Sequence, residues 1–155
     1  MRAPVRVSSL IVQDTLEHLR RAGTHERELV IAWHGKRTGT AVTVTRMSIP
    51  AQVGTTYCFK VSDEGMHRLR ADLAAHGELV AAQIHAHPAE AFHSRADDRG
   101  ALVGHLGALS IVLPYFAAEV SLANFTALAA VFELHGTGRW REVPHASIGE
   151  ALQII

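Results

Sequence analysis

The feature that most restricts the fold is a pair of near-continuous apolar runs, residues 28–33 (ELVIAW) and 78–86 (ELVAAQIHA). Runs this short fit strands better than helices, and a strand apolar on both sides must be covered on both. The intervening stretches supply the covers. Ser8 and Ser9 precede Leu10, Val12, Leu16 and Leu19, a helical spacing that ends at Ala22-Gly23. Ser62 is placed to cap a helix carrying Met66, Leu69 and Leu73, which Gly77 stops. Residues 38–47 alternate Thr and Val and read as the hairpin partner of the first run across GKRTG. Residues 49–54 read as a loop and 56–61 as a short strand. Further on, residues 94–106 are predicted helical, with Leu102, Val103 and Leu106 on one side, and 109–113, 127–134 and 140–143 form three more strands. The expectation is an α/β fold with a mixed sheet, one domain over residues 1–155.

Composition narrows the classes of function. A chain that is 48% hydrophobic and 19% charged has the make-up of a folded globular protein. Fifteen basic residues balance fifteen acidic ones, so neither nucleic acid nor an anionic membrane is favoured as a partner. No apolar run approaches the ~18 residues of a membrane span. The first 21 residues lack a small-residue cleavage site and read as helix, not as a signal peptide, which points to the cytoplasm. The lone cysteine, Cys58 in TTYCFKVS, excludes an internal disulfide and a CxxC zinc site and fits a reducing compartment. A buried structural role is expected for it.

Histidine is over-represented, with 11 in the chain. Two of them, His85 and His87, end the second apolar run, and on a strand residues i and i+2 project from one face. Pro88 then ends the strand. A His-x-His pair alone is a weak signal in a chain so rich in His. Its company strengthens it. Asp97 follows ten residues after His87, near the start of a predicted helix, with Ser94 three residues before it. Two His and a carboxylate suit a catalytic Zn2+ with one position left for water.

The segment His85-Ala86-His87, six intervening residues, then Ser94-Arg95-Ala96-Asp97 resembles the signature of the JAB1/MPN/Mov34 (JAMM) metalloproteases. That signature is a Glu on an early strand followed by His-x-His-x7-Ser-x2-Asp. The gap here is one residue shorter than usual, in a stretch read as loop. Glu28 matches the early Glu, seven residues before Gly35 in ELVIAWHG; Glu26 is its rival, on the same strand face by period. The resemblance implies a single MPN (JAB-like) domain, a mixed curved β-sheet flanked by helices, with an architecture like that of the cytidine deaminases. It implies His85, His87 and Asp97 as ligands of Zn2+, which would acidify water and polarise the scissile carbonyl. Asp98 and His93 are neighbouring rivals as ligands. Glu28 would transfer the proton. Ser94 would donate a hydrogen bond to the oxyanion, a contribution of about 3 kcal/mol in other enzymes.

By the same resemblance, the substrate is the bond after the C-terminal tail of a ubiquitin or ubiquitin-like protein, cleaved from a target or a precursor. The HAHP…FHSRADD flavour is most similar to bacterial members found with ubiquitin-like conjugation genes. Expected partners are then the ubiquitin-like protein, its conjugates and E1/E2-like proteins of the same operon, in an antiphage setting. Ile49-Pro50 and Val53 form either a surface turn of the core, the plainer reading, or a contact for such a partner. Two alternatives stay open: a zinc amidase or peptidase acting on another substrate, and a non-catalytic scaffold of the same fold.

Overall fold

Alternate side chains of the two apolar runs pass to opposite faces of one sheet, and each face has its own core. The computed structural model describes residues 2–92, 101–136 and 138–155. Its strands in chain order are β1 (Val5–Val7), β2 (Ile31–Thr38), β3 (Ala41–Ser48), β4 (Gln52–Gly54), β5 (Phe59–Val61), β6 (Leu79–Ala86), β7 (Leu109–Leu113), β8 (Ala130–Leu134), β9 (Trp140–Glu142) and β10 (Leu152–Ile154). The α-helices are α1 (Ser9–Gly23), α2 (Asp63–His76), α3 (Phe125–Leu128) and α4 (Ile148–Ala151). The main sheet runs β10-β1-β3-β2-β6-β7-β8-β9, and β4 and β5 form a separate hairpin. Pairs β10–β1, β1–β3 and β6–β7 are parallel and the rest antiparallel. The result is an α/β architecture, a curled mixed sheet flanked by helices.

Ile31 and Trp33 of β2, Ile84 and Ala86 of β6, and Ile111 and Leu113 of β7 pack with Val12, Leu16 and Leu19 of α1. Trp33 stacks on Phe125 with ring centroids 6.4 Å apart, and its indole N–H donates to Thr15 Oγ1 at 2.8 Å. The opposite face carries Val30, Ala32 and Val80, covered by Leu69 of α2, Phe59 of β5, and Leu102 and Val103. Each such large side chain contributes about 1.5–3 kcal/mol when fully buried. Period two sends Gln83, His85 and His87 to this second face, because Ile84 and Ala86 take the first.

Both long helices start and stop where the sequence places them. Ser8 Oγ accepts from Ile11 N at the head of α1, and Ser62 Oγ accepts from Gly65 N at the head of α2. Gly77 ends α2 in the left-handed conformation (φ 61°). Other expectations need correction. The first run starts its ladder at Ile31, three residues late, and β2 continues through His34-Gly35 to Thr38. The 49–54 stretch contains β4, and residues 127–128 belong to α3 with β8 starting at Ala130. Residues 101–106 are irregular and not helical, while the rest of that expected helix lies outside the described residues. There Leu102 N–H is taken by Gln83 Oε1 at 2.7 Å, and Gly104 and Gly107 disfavour helix. Cys58 is exposed rather than buried, on the turn of the β4–β5 hairpin, its Sγ 3.3 Å from Thr55 Oγ1.

Candidate metal centre

The end of β6 lies in the middle of the sheet, flanked by β2 and β7. His85 is in register with Val112 of β7, and His87 N–H donates to Leu113 O at 2.9 Å. Beyond the strand, Phe116 N–H donates to His87 O at 2.7 Å, and Tyr115 N–H to Ala89 O at 2.9 Å. These bonds come from a turn in which Tyr115, Phe116 and Ala117 all have positive φ, 52°, 51° and 60°. None is glycine, so each costs about 1–2 kcal/mol of backbone strain. Arg20 of α1 holds this turn by donating from Nε to Ala117 O at 3.1 Å and from its guanidinium to Val120 O.

On the other side, β2 pairs with β6 through Ile31↔Ile84. Continuing that antiparallel register sets Glu28 opposite His87. The Nε2 atoms of His85 and His87 are 3.0 Å apart, and Glu28 Oε1 is 3.9 Å from His87 Nε2. All three residues are buried, none more than 4% exposed. Their ligand-type atoms lie within 4.8 Å of one another, as a metal-holding group requires. A tetrahedral Zn2+ with Zn–N bonds of 2.0–2.1 Å would set two ring nitrogens about 3.3 Å apart, so the pair is a few tenths of an ångström from that spacing. Imidazole and carboxylate together suit a divalent ion of intermediate softness. Aromatic rings wall the pair: Phe59 meets His85 edge-on at 5.1 Å, and Phe92 meets His87 at 4.5 Å.

No family model matches the chain. The probable metalloprotease y4jG of Sinorhizobium fredii is 35% identical over 141 residues, which covers 88% of this chain and 85% of that protein. This chain belongs to that metalloprotease family. In this metalloprotease the buried Glu28, His85 and His87 group is the place where the described residues could hold a metal ion. A Desulfitobacterium hafniense protein whose structure was solved in solution superposes with a TM-score of 0.68 at 16% identity, over 97% of this chain and 92% of that one. That likeness is one of fold. No helix among the described residues of the metalloprotease is long and apolar enough to cross a membrane.

Of the residues singled out from sequence, the structure brings Glu28, His85 and His87 together. Ser94 and Asp97, with their rivals His93 and Asp98, lie outside the described residues. Glu26 is separated from Glu28 by conformation: it is exposed, in a turn, with φ 52°. Gly35 has a structural reason in this metalloprotease. A Cβ there would lie 2.9 Å from Thr43 O and 3.1 Å from Ala81 Cβ, where the register of β2 against β3 shifts. Gln52, which sequence reading leaves in a loop, turns out to hold the segment that carries Glu28. Nothing in its spacing marks it, because its partner is the backbone of Val30.

Proposed function

We propose that this metalloprotease is a zinc-dependent peptidase of the JAMM type, hydrolysing the bond after the C-terminal tail of a ubiquitin or ubiquitin-like protein. The observation that carries the reading is the meeting of Glu28, from the arm leading into β2, with the His85–His87 pair at the end of β6. It is the juxtaposition that the JAMM signature requires of these positions. His85 and His87 are the nitrogen ligands of Zn2+, and Asp97 completes the set. When bound, the ion supplies Lewis-acid polarisation of the scissile carbonyl and acidification of water.

The chain's own residues do the rest. Glu28 accepts a proton from the attacking water and hands it to the leaving amine, and burial of the site keeps that proton from bulk solvent. Ser94 donates a hydrogen bond to the oxygen on which negative charge develops. Exposed apolar side chains lie on the segments that adjoin the site. Val53 and Tyr57 of the β4–β5 hairpin are 73% and 81% exposed, and Phe92 and Tyr115 are exposed near His87. Such side chains suit contact with an extended tail ending in small residues, bound by its backbone along a strand edge. The setting that fits is the bacterial cytoplasm, in a ubiquitin-like conjugation pathway with E1/E2-like partners and a role against phage.

The test is metal analysis of the purified protein, with cleavage of a ubiquitin-like fusion by the wild type and by Glu28→Ala. Stoichiometric zinc and cleavage lost in the variant are expected. Zinc-free protein, or cleavage that survives Glu28→Ala, overturns the mechanism. Cleavage of other peptides but not of the fusion overturns the substrate.

A further inference from the structure

We infer that Gln52 is a positioning residue for Glu28, its carboxamide standing in for the strand neighbour that the chain before β2 lacks. The inference rests on the reading of Glu28 as the proton-transfer group. The ladder of β2 begins at Ile31 on the β6 side and at Ala32 on the β3 side. Residues 28–30 precede both, yet Glu28 and Val30 are buried and the Glu28 carboxylate has to face the histidines. What occupies the neighbouring position is a side chain. Gln52 Oε1 accepts from Val30 N–H at 2.8 Å, and its Nε2 donates to Val30 O at 2.8 Å. A residue paired across an antiparallel ladder makes the same two bonds.

The amide is locked in one orientation. The second hydrogen of Nε2 goes to Pro50 O at 3.0 Å, so exchanging its two ends would set donor against donor and acceptor against acceptor. Farther along the hairpin, Thr55 O accepts from Glu28 N–H at 2.8 Å. Gly54 comes so near that a Cβ there would lie 2.0 Å from Glu28 O. The β4–β5 hairpin therefore grips the backbone on Glu28 and two residues beyond it, which fixes where its side chain sets out. The same hairpin presents Val53 and Tyr57 to solvent, so a substrate resting on it bears on the element that aims the carboxylate.

Gln52→Glu keeps the length and the acceptor for Val30 N–H but turns an oxygen toward the Val30 and Pro50 carbonyls. With ubiquitin carrying a C-terminal amide-linked coumarin as probe, kcat is expected to fall about 10–100-fold. KM and Zn2+ affinity should change by less than about threefold. In a Glu28→Gln background the substitution should have little further effect, because the two residues act as one unit. A readout independent of turnover is amide hydrogen exchange of the zinc-loaded protein: Val30 and Glu28 N–H should exchange faster, with the β6 amides unchanged. Unchanged kcat, a loss that multiplies with Glu28→Gln, or unaltered exchange overturns the assignment. Gln52→Asn, one methylene shorter, is read the same way if Gln52→Glu fails to fold. If Glu28→Gln turns over like wild type, or the wild type leaves the coumarin probe intact, it is the proposed function that fails. The Gln52 clamp then stands or falls on the Val30 exchange rate.

Discussion

The ring nitrogens Nε2 of His85 and His87 face each other at 3.0 Å in the buried end of the sheet. In the neutral protein only one of them can carry the shared hydrogen, whereas a metal needs both lone pairs. Metal binding at this pair should therefore be read directly in stability. Zn2+ at a hundredfold excess over its Kd should add about 2.7 kcal/mol, raising Tm by about 5–10 °C, and a chelator should reverse the rise. His87→Gln should lose the zinc-dependent rise. A melting temperature indifferent to Zn2+ in the wild type would remove the site.

A second cluster, on the far side of β2, governs behaviour in acid. His34 is fully buried, with Nε2 2.6 Å from Ser48 Oγ and Nδ1 3.4 Å from Glu78 Oε2. Burial of the Glu78 carboxyl on its own would raise its pKa. Hydrogen bonds from Arg46 and Thr45, with the Arg46 charge, outweigh that and hold it at about 2 against an ordinary 4.5. Burial first, and then the Arg46 charge, push His34 below its ordinary 6.5. Both groups bind protons more readily when unfolded, so both favour the folded state more as pH rises. The Glu78 contribution, at most about 3 kcal/mol, is complete above pH 4.5 and disappears toward pH 2. Urea midpoints should fall steeply across that window in the wild type and only shallowly in Glu78→Gln. Parallel curves would show that the carboxylate is not responsible.

Thr15 and Trp33 are both fully buried and joined by the indole N–H. Thr15→Val keeps the shape and removes the acceptor, leaving that N–H buried without its partner. The expected loss is about 1–3 kcal/mol in denaturant unfolding, with zinc affinity unaltered. A neutral result would mean that the indole finds another acceptor.

The left-handed turn at residues 115–117 packs so closely on α1 that a Cβ on Gly23 would lie 2.4 Å from Phe116 Cβ. Gly23→Ala must therefore displace the turn that bonds to His87 O. A loss of about 1–3 kcal/mol, as for other overpacked contacts, is expected, together with weaker Zn2+ binding measured by competition with a chromophoric chelator. Weakened stability with intact zinc affinity would separate the turn from the site.

Much of this was legible in the sequence, and for identifiable reasons. The helices α1 and α2 carry their own caps and period, and the apolar runs carry the strand signal, so these elements are encoded locally. The pairing of His85 with His87 follows from period two alone. What local sequence does not encode is partnership. Of the five three-residue strands, β1, β4 and β10 carry no periodicity that marks them and exist because other backbones accept them. Residues 101–106 lose their apparent helix because Gln83 claims the Leu102 amide. Glu28 and Glu26 share a period, but a turn at Glu26 with positive φ sends the two carboxylates to different environments. Cys58, for which a buried role is expected, is exposed because the hairpin turn sits outside both cores.

Val5 pairs with Leu152 and Val7 with Ile154, so two neighbouring strands of the sheet are synthesised far apart in time. A vectorially synthesised polypeptide emerges at about 5–20 residues per second, so β1 waits many seconds for the strand that covers its outer side. Through that interval β1 is the rim of the sheet, with an unsatisfied row of backbone groups open to strand addition. Contacts of such long sequence separation also slow folding itself. Substitutions at residues 152–154 that weaken this pairing should therefore leave β1 open for longer, and the loss of yield should appear as aggregation during expression.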